Sequence, residues 1–388
     1  MQFHSTHQHH GYDYAPLTLA WEATRSCPLR CQHCRATAQL RRDDNELTTK
    51  EGKDLIDQAS RMGTKIFVIT GGDPLARPDI YSLIERASSM NLHVGFSPSV
   101  TGRLTQVALD RVARSGAHTV HISLDGATSV SHDGFRGVRG SFERTVNVLK
   151  WVSQSGLALQ VGTTVTKDSI AQLPEISELL ASLGISIWSW SLFFLIPTGR
   201  AQDLEIPDAY ENERVLSWLA TTSFPFRTRV IEAPFFKRVI EQTSAGSSAG
   251  SSAGSSAGLA PSTADLQTMG ARDPLGNSVA KQTPAVRDGD GFCFISHVGD
   301  VYPSGFLQVN AGNVREHSLA EIYQKSELFR SLRDRTLLKG KCGSCEYRTI
   351  CGGSRARAWA SGNDYLGEDP GCAYVPDQIG LQDNLVRN

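Results

Sequence analysis

Ser26-Cys27-Pro28-Leu29-Arg30-Cys31-Gln32-His33-Cys34 is a C-x3-C-x2-C run that directly follows the apolar segment Leu17 to Trp21. Three thiolates so close together, on a loop leaving a strand, can hold three corners of an iron–sulfur cube and leave one iron without a protein ligand. Chemistry gathers at such an open iron. Disulfides and zinc sites also use C-x2-C halves. Zinc asks for a fourth ligand, and the nearby candidate, His33, lies inside the Cys31/Cys34 loop, where it would point away from a shared metal.

From Leu17 to about Thr198, short apolar and β-branched runs alternate with longer amphipathic ones, the pattern of repeated βα units on a parallel sheet. Strands are expected near 17–22, 65–70, 93–97, 119–123, 159–165 and 186–194, with helices at 48–62, 78–90, 105–115, 141–155 and 170–183. Thr48 and Glu51 outline a capping box, and Pro78 suits a first helical turn. A further helix is expected at 212–220, a short strand at 226–232 and a helix at 234–242. Six strands with right-handed crossovers predict an α/β fold, a partial TIM-like (β/α)6 barrel over residues 17–242.

In such barrels the chemistry collects where strands end. The residues there are Ser97 and Ser99, whose hydroxyls suit a ribose or a carboxylate, then Ser123 and Asp125, Thr164, and Arg200, suited to a carboxylate. Each also has an ordinary reading as a turn former or a rim residue. The segment His132 to Ser141 carries Arg136 and Arg139, to which the sequence assigns no role.

The 388 residues suffice for one large domain and a smaller one. With 39 Lys and Arg against 40 Asp and Glu, nothing calls for nucleic acid. Residues 1–16, with His4, His7, His9 and His10, are expected to be a flexible tail without a signal sequence. No stretch reaches the roughly 18 apolar residues of a membrane span, so a cytoplasmic chain without membrane contact is expected. Ser-Ala-Gly repeats between Ser244 and Gly258 cannot bury a core, and residues 243–289 are expected to form a flexible linker.

A second cysteine group, Cys342, Cys345, Cys351 and Cys372, has the spacing C-x2-C-x5-C and then a fourth ligand, enough to close another cluster or, alternatively, a zinc site. Cys293 stands alone and reads most simply as a packed core thiol. The gap between Cys34 and Cys293, without an export signal, argues for metal rather than disulfides.

The first cysteine run, together with Gly71-Gly72-Asp73-Pro74 after the apolar run Ile66 to Ile69, resembles the radical S-adenosylmethionine (SAM) superfamily. The resemblance implies a [4Fe-4S] cluster on Cys27, Cys31 and Cys34, and a Gly-Gly turn that binds the methionine amine of SAM. It also implies a reductase such as flavodoxin or ferredoxin as electron donor. Residues 290–388 resemble the SPASM extension of that superfamily, with a second, auxiliary [4Fe-4S] cluster on Cys342, Cys345, Cys351 and Cys372. The fuller pattern carries two auxiliary clusters. Here Ser304 stands at one expected cysteine and Gly352-Gly353-Ser354 replaces another, so the inner cluster lacks ligands.

Gly299 to Phe306, Ala311 to Arg315 and Cys351 to Ala358 resemble the haem-pathway branch of SPASM proteins, which act on iron-coproporphyrin or d1-haem precursors. The resemblance implies hydrogen abstraction from a tetrapyrrole propionate by a 5′-deoxyadenosyl radical, with Arg200, Arg355 and Arg357 available to carboxylates. Radical modification or crosslinking of a ribosomally made peptide is the alternative, although residues 1–16 are short for a peptide-binding wing. A non-catalytic iron–sulfur redox sensor is the third reading.

Overall fold

The computed structural model describes residues 11–249 and 286–377; the four early histidines and most of the Ser/Ala/Gly stretch lie outside them. Six parallel strands follow one another in sequence and in space: β1 (Thr18–Glu22), β2 (Ile66–Thr70), β3 (His93–Phe96), β4 (Thr119–Ser123), β5 (Ala158–Val165) and β6 (Ser189–Phe194). Between them run α1 (Thr49–Met62), α2 (Ile80–Ser89), α3 (Gln106–Arg114), the pair α4 (Ser129–Arg136) and α5 (Ser141–Gln154), and α6 (Leu173–Ser182).

Register decides which face is which, because laterally paired residues of a sheet share a face. Trp21, Ile69, Phe96 and Val120 form one such row, and Val161 pairs with Trp190. These side chains are buried in a single core with Leu55 and Ile56 of α1 and Val148 and Leu149 of α5. The opposite face is polar: Ser123, Gly162, Ser191 and Arg229 are laterally paired there. Each large side chain of the first face contributes roughly 1.5–3 kcal/mol by burial, which leaves the second face free for chemistry.

Local signals account for the helix ends. Thr48 and Glu51 form the reciprocal capping box, and Gly63 closes α1 in the left-handed region at φ 99°. Pro78 does not begin α2 as expected; it precedes the N-cap Asp79, whose carboxylate is taken by Arg77 and Thr49 instead of capping the helix.

The sheet also runs past these six strands, first through the short strand expected at 226–232. β7 (Arg227–Ile231) adds in parallel to β6, between α7 (Ala209–Thr221) and α8 (Phe236–Ala249). At the other edge β9 (Gly291–Ile295) pairs in parallel with β1 and carries β8 (Arg287–Asp288), β10 (Asp300–Tyr302) and β11 (Gly312–Asn313). An open edge on β1 would leave unpaired peptide groups beside the core. The cysteine-rich extension supplies the missing strand, so barrel and extension share one 11-stranded sheet. The chain then continues through α9 (Leu319–Lys325), α10 (Glu327–Arg333), α11 (Gly340–Ser344) and α12 (Arg355–Gly362).

Three expectations about boundaries shift. Tyr12 is buried and its carbonyl accepts the Tyr323 hydroxyl at 3.0 Å, so the end of the expected tail is packed. The α8 backbone continues to Ala249, past the expected start of the linker, and β8 begins before its expected end. Cys293 lies opposite Leu19, with no exposed surface, in the main core, and burial pushes its thiol pKa up; it is a packed thiol. Among the described residues, no helix is long and apolar enough to cross a membrane.

Arg77 ties this frame together. It is 1% exposed, holds Asp79 at 2.7 Å and donates to the carbonyls of Ala23 and Leu47, both at 2.9 Å. Replacing it by alanine strands a carboxylate and two carbonyls, so Arg77→Ala is expected to cost about 3–5 kcal/mol, read from the urea midpoint; a loss below about 1 kcal/mol would contradict this role.

Candidate active site

The loop that leaves β1 is pinned by the turn that leaves β2. Gly72 and Asp73 donate their N–H groups to the carbonyls of Thr24 and Ser26 at 2.6 and 2.7 Å. A Cβ on Gly71 would stand 2.5 Å from the Thr24 oxygen, and one on Gly72 would stand 2.6 Å from the Ser26 oxygen. Gly71 also has φ 153°, so only glycine fits there without strain. Asp73 is fully buried, accepts the Leu75 N–H and the Thr101 hydroxyl at 3.2 and 2.7 Å, and has its pKa raised by burial. Its carboxylate therefore holds the turn, which Pro74 continues as a single 3-10 turn. After β3, Ser99 donates to the Gly72 carbonyl at 2.5 Å and accepts from the Cys27 thiol at 3.5 Å.

The far side of the cysteine loop is held by two other strand ends. Arg200 donates its N–H to the Cys34 carbonyl at 3.0 Å, and a Cβ on Gly199 would stand 2.6 Å from that same oxygen. The Nε of Arg200 is buried with no hydrogen-bond partner among the described residues. Asp125, after β4, pairs with Arg136 at 2.5 Å and accepts the Thr164 N–H at 2.7 Å. Burial alone would raise its pKa; Arg136 reverses this and holds it at about 2. Arg136 also donates to Cys31 Sγ at 3.6 Å.

Arg136 is the residue that sequence reading passed over. Its helix, α4, was not expected; the signals for it are the Thr128/Ser131 capping pair and Gly137, which ends it at φ 67°. His33 stacks on Phe135, with ring centroids 4.5 Å apart and planes 5° from parallel. Burial lowers its pKa to about 4, and its Nδ1 has no partner among the described residues. Ser97 reaches His121 Nδ1 at 3.4 Å, while Ser123 lies on the polar sheet face. Among the described residues, Ser97 and Ser123 have no hydrogen bond to the cysteine loop.

In the extension, Cys342, Cys345, Cys351 and Cys372 line one cavity. Main-chain N–H groups of Gly353 and Asp369 donate to Cys351 and Cys342 Sγ, each at 3.3 Å. Among the described residues, no three His, Cys, Asp or Glu side chains converge on a single point as ligands of one ion would. Four thiols lining one cavity, two of them met by main-chain N–H donors, suit a cluster. The loop thiols fit in the same way: Cys27 and Cys31 pack together with Cys34 against them, and their surroundings supply the Arg136 and Ala38 donors. Arg355 and Arg357, expected to reach a substrate, are 1% and 2% exposed and turned inward to carbonyls, to Cys342 and to Asp369. Arg357 also donates to the carbonyl of Glu232, just after β7, at 2.7 Å. Ser304 is likewise buried and caps its own turn through the Leu307 N–H at 3.1 Å.

This geometry agrees with comparisons to known proteins. Residues 21–180 match the model of the radical SAM superfamily, and residues 287–346 match SPASM, an iron-sulfur cluster-binding domain. The AdoMet-dependent heme synthase of Oleidesulfovibrio alaskensis is 38% identical over 364 residues, 92% of this chain and 87% of that protein. Mycofactocin maturase MftC of Mycobacterium tuberculosis is 32% identical over 92% of this chain and 83% of that protein. Streptococcus suis SuiB, solved with S-adenosylmethionine bound, shares the fold with a TM-score of 0.67 at 19% identity, over 93% of this chain and 78% of that one. The enzyme therefore uses a SAM-cleaving [4Fe-4S] cluster, an auxiliary cluster and SAM, which sets aside a non-catalytic sensor. With both cysteine groups placed and relatives above 30% identity matched over most of their length, the chain belongs to the radical SAM superfamily, in the branch extended by a SPASM iron–sulfur domain.

Proposed function

We propose that this enzyme acts on a propionate side chain of a tetrapyrrole such as iron-coproporphyrin. The observation that carries this is the 38% identity to an AdoMet-dependent heme synthase across barrel and extension alike. Loss of a hydrogen atom, carbon dioxide and one electron would convert the propionate to a vinyl group.

Cys27, Cys31 and Cys34 would hold the catalytic cluster and leave one iron open. Once reduced, that cluster supplies the electron that splits the SAM sulfonium bond and yields a 5′-deoxyadenosyl radical. The protein's part is placement. Gly71, Gly72, Asp73 and Pro74 would present main-chain groups to the SAM amine, and Ser97, Ser99 and Ser123 would offer hydroxyls along its path. Asp125 and Thr164 would act through Arg136, which they hold beside Cys31. Arg136 and Arg200, both beside the loop, would serve the carboxylates of SAM and of substrate. Cys342, Cys345, Cys351 and Cys372 leave no iron open, so their cluster suits electron relay. A flavodoxin or ferredoxin would donate the electrons, and eight free cysteines fit the reducing cytoplasm.

Modification of a ribosomally made peptide is the second reading, favoured by the 32% identity to mycofactocin maturase MftC. The assay separates the two. Anaerobic turnover with iron-coproporphyrin is expected to release carbon dioxide in proportion to 5′-deoxyadenosine; SAM cleavage that stays uncoupled with every porphyrin, yet couples to a peptide, would select the second.

The cluster assignment is read from iron and EPR. Wild type is expected to hold about eight irons and a Cys27/Cys31/Cys34 triple-alanine variant about four, with only the lost signal responding to SAM. Arg136→Gln, with iron content unchanged, is expected to weaken SAM binding about 10- to 100-fold by calorimetry, the worth of one charge-assisted hydrogen bond. Unaltered affinity would leave Arg200 as the carboxylate partner.

A further inference from the structure

The buried arginines of the extension are compensated in different ways. Arg357 meets both oxygens of Asp369 at 3.2 Å, and Arg335 meets Asp290 at 2.5 Å. Arg238, beside Cys372, is neutralised by Glu213 at 2.5 Å. Arg355 has no such partner. Its Nε donates to the Gly353 carbonyl at 3.3 Å, and its Nη1 to the carbonyls of Tyr365 and Gly367 at 3.1 and 2.6 Å. Its Nη2 donates to Cys342 Sγ at 3.7 Å. Among the described residues, no carboxylate lies within ion-pair distance of it.

A buried guanidinium without a counter-charge is costly. The negative charge in direct contact with it is that of the Cys342 thiolate; Asp288 and Asp364 act on it only from beyond ion-pair distance. Backbone geometry is shaped for the contact as well. Gly353 has φ 68°, and a Cβ there would stand 2.5 Å from Arg355 Nη2 and 3.0 Å from Cys342 Sγ. Glycine at 353 is what lets the guanidinium reach the sulfur. Gly353 and Asp369 bring neutral main-chain amides to Cys351 and Cys342, whereas Arg355 brings a full charge.

We propose that Arg355 sets the reduction potential of the auxiliary cluster: its charge, held in no direct ion pair and hydrogen-bonded to Cys342, favours the reduced and more negative state. Hydrogen bonds to cluster sulfurs and nearby charge are the levers a protein has on such potentials. The site thereby becomes the better one-electron acceptor. The inference rests on the four-cysteine cluster assigned above, and iron content keeps the two failures apart.

The test uses the full chain in the Cys27/Cys31/Cys34 triple-alanine background, so that the auxiliary cluster alone titrates, with the midpoint potential followed by EPR. Arg355→Met with its iron retained is expected to titrate at least 59 mV lower, the equivalent of a tenfold change in a one-electron equilibrium. Arg355→Lys is expected to recover part of the shift, and Gly353→Ala, which displaces the guanidinium, to reproduce part of the loss. An unchanged midpoint in iron-replete Arg355→Met overturns the proposal. If Arg355→Met loses its iron, Gly353→Ala decides, and a wild-type midpoint there overturns it equally. Absence of iron from the parent itself would sink the cluster and not the arginine.

Discussion

Main chain lies directly on main chain where the turn after β2 meets the loop after β1, and the rest of the site depends on that contact. Two amides of Gly72 and Asp73 are spent on the carbonyls of Thr24 and Ser26, at a spacing with no room for a side chain. The loop therefore reaches Cys27 with its backbone already satisfied and its direction set. Gly199 repeats the arrangement at Cys34, where a Cβ would strike the carbonyl. A loop that presents three thiols to a cluster cannot also be held by those thiols before the cluster forms; glycine contacts at both ends hold it instead.

Around this frame, carboxylates that look like ligands turn inward. Asp73 steadies its own turn and Asp125 holds Arg136, so each acts on the site through a neighbour. Among the buried polar atoms without a hydrogen-bond partner in the described residues are Arg200 Nε and His33 Nδ1, both at the cysteine loop. In the extension Arg357 and Arg335 each have an acid, and Arg355 has a thiol.

Much of this was legible beforehand. The βα alternation located all six central strands within a few residues, because each strand carries a continuous apolar row that the helices must cover. The cysteine spacings and the glycine turn are local patterns that survive without coordinates. Neither the α4 helix nor the role of Arg136 was read beforehand, since its partners Asp125 and Cys31 come from two other strand ends. Arg355 and Arg357 misled for the opposite reason. Their charge suggested solvent and substrate, and only the packing of α12 shows both side chains buried.

By itself the sequence determined the chemistry: which thiols group together, which glycines flank them, and an alternating pattern that makes a parallel sheet. These follow from spacing and periodicity, which act over a few residues. Tertiary structure alone decided that β9 closes the open edge of β1, which puts the packed thiol of Cys293 opposite Leu19. It alone decided which cation faces which sulfur. Strand pairing between residues 18 and 292, and a contact between Arg136 and Cys31, depend on where the whole chain folds back, and no local window carries that information.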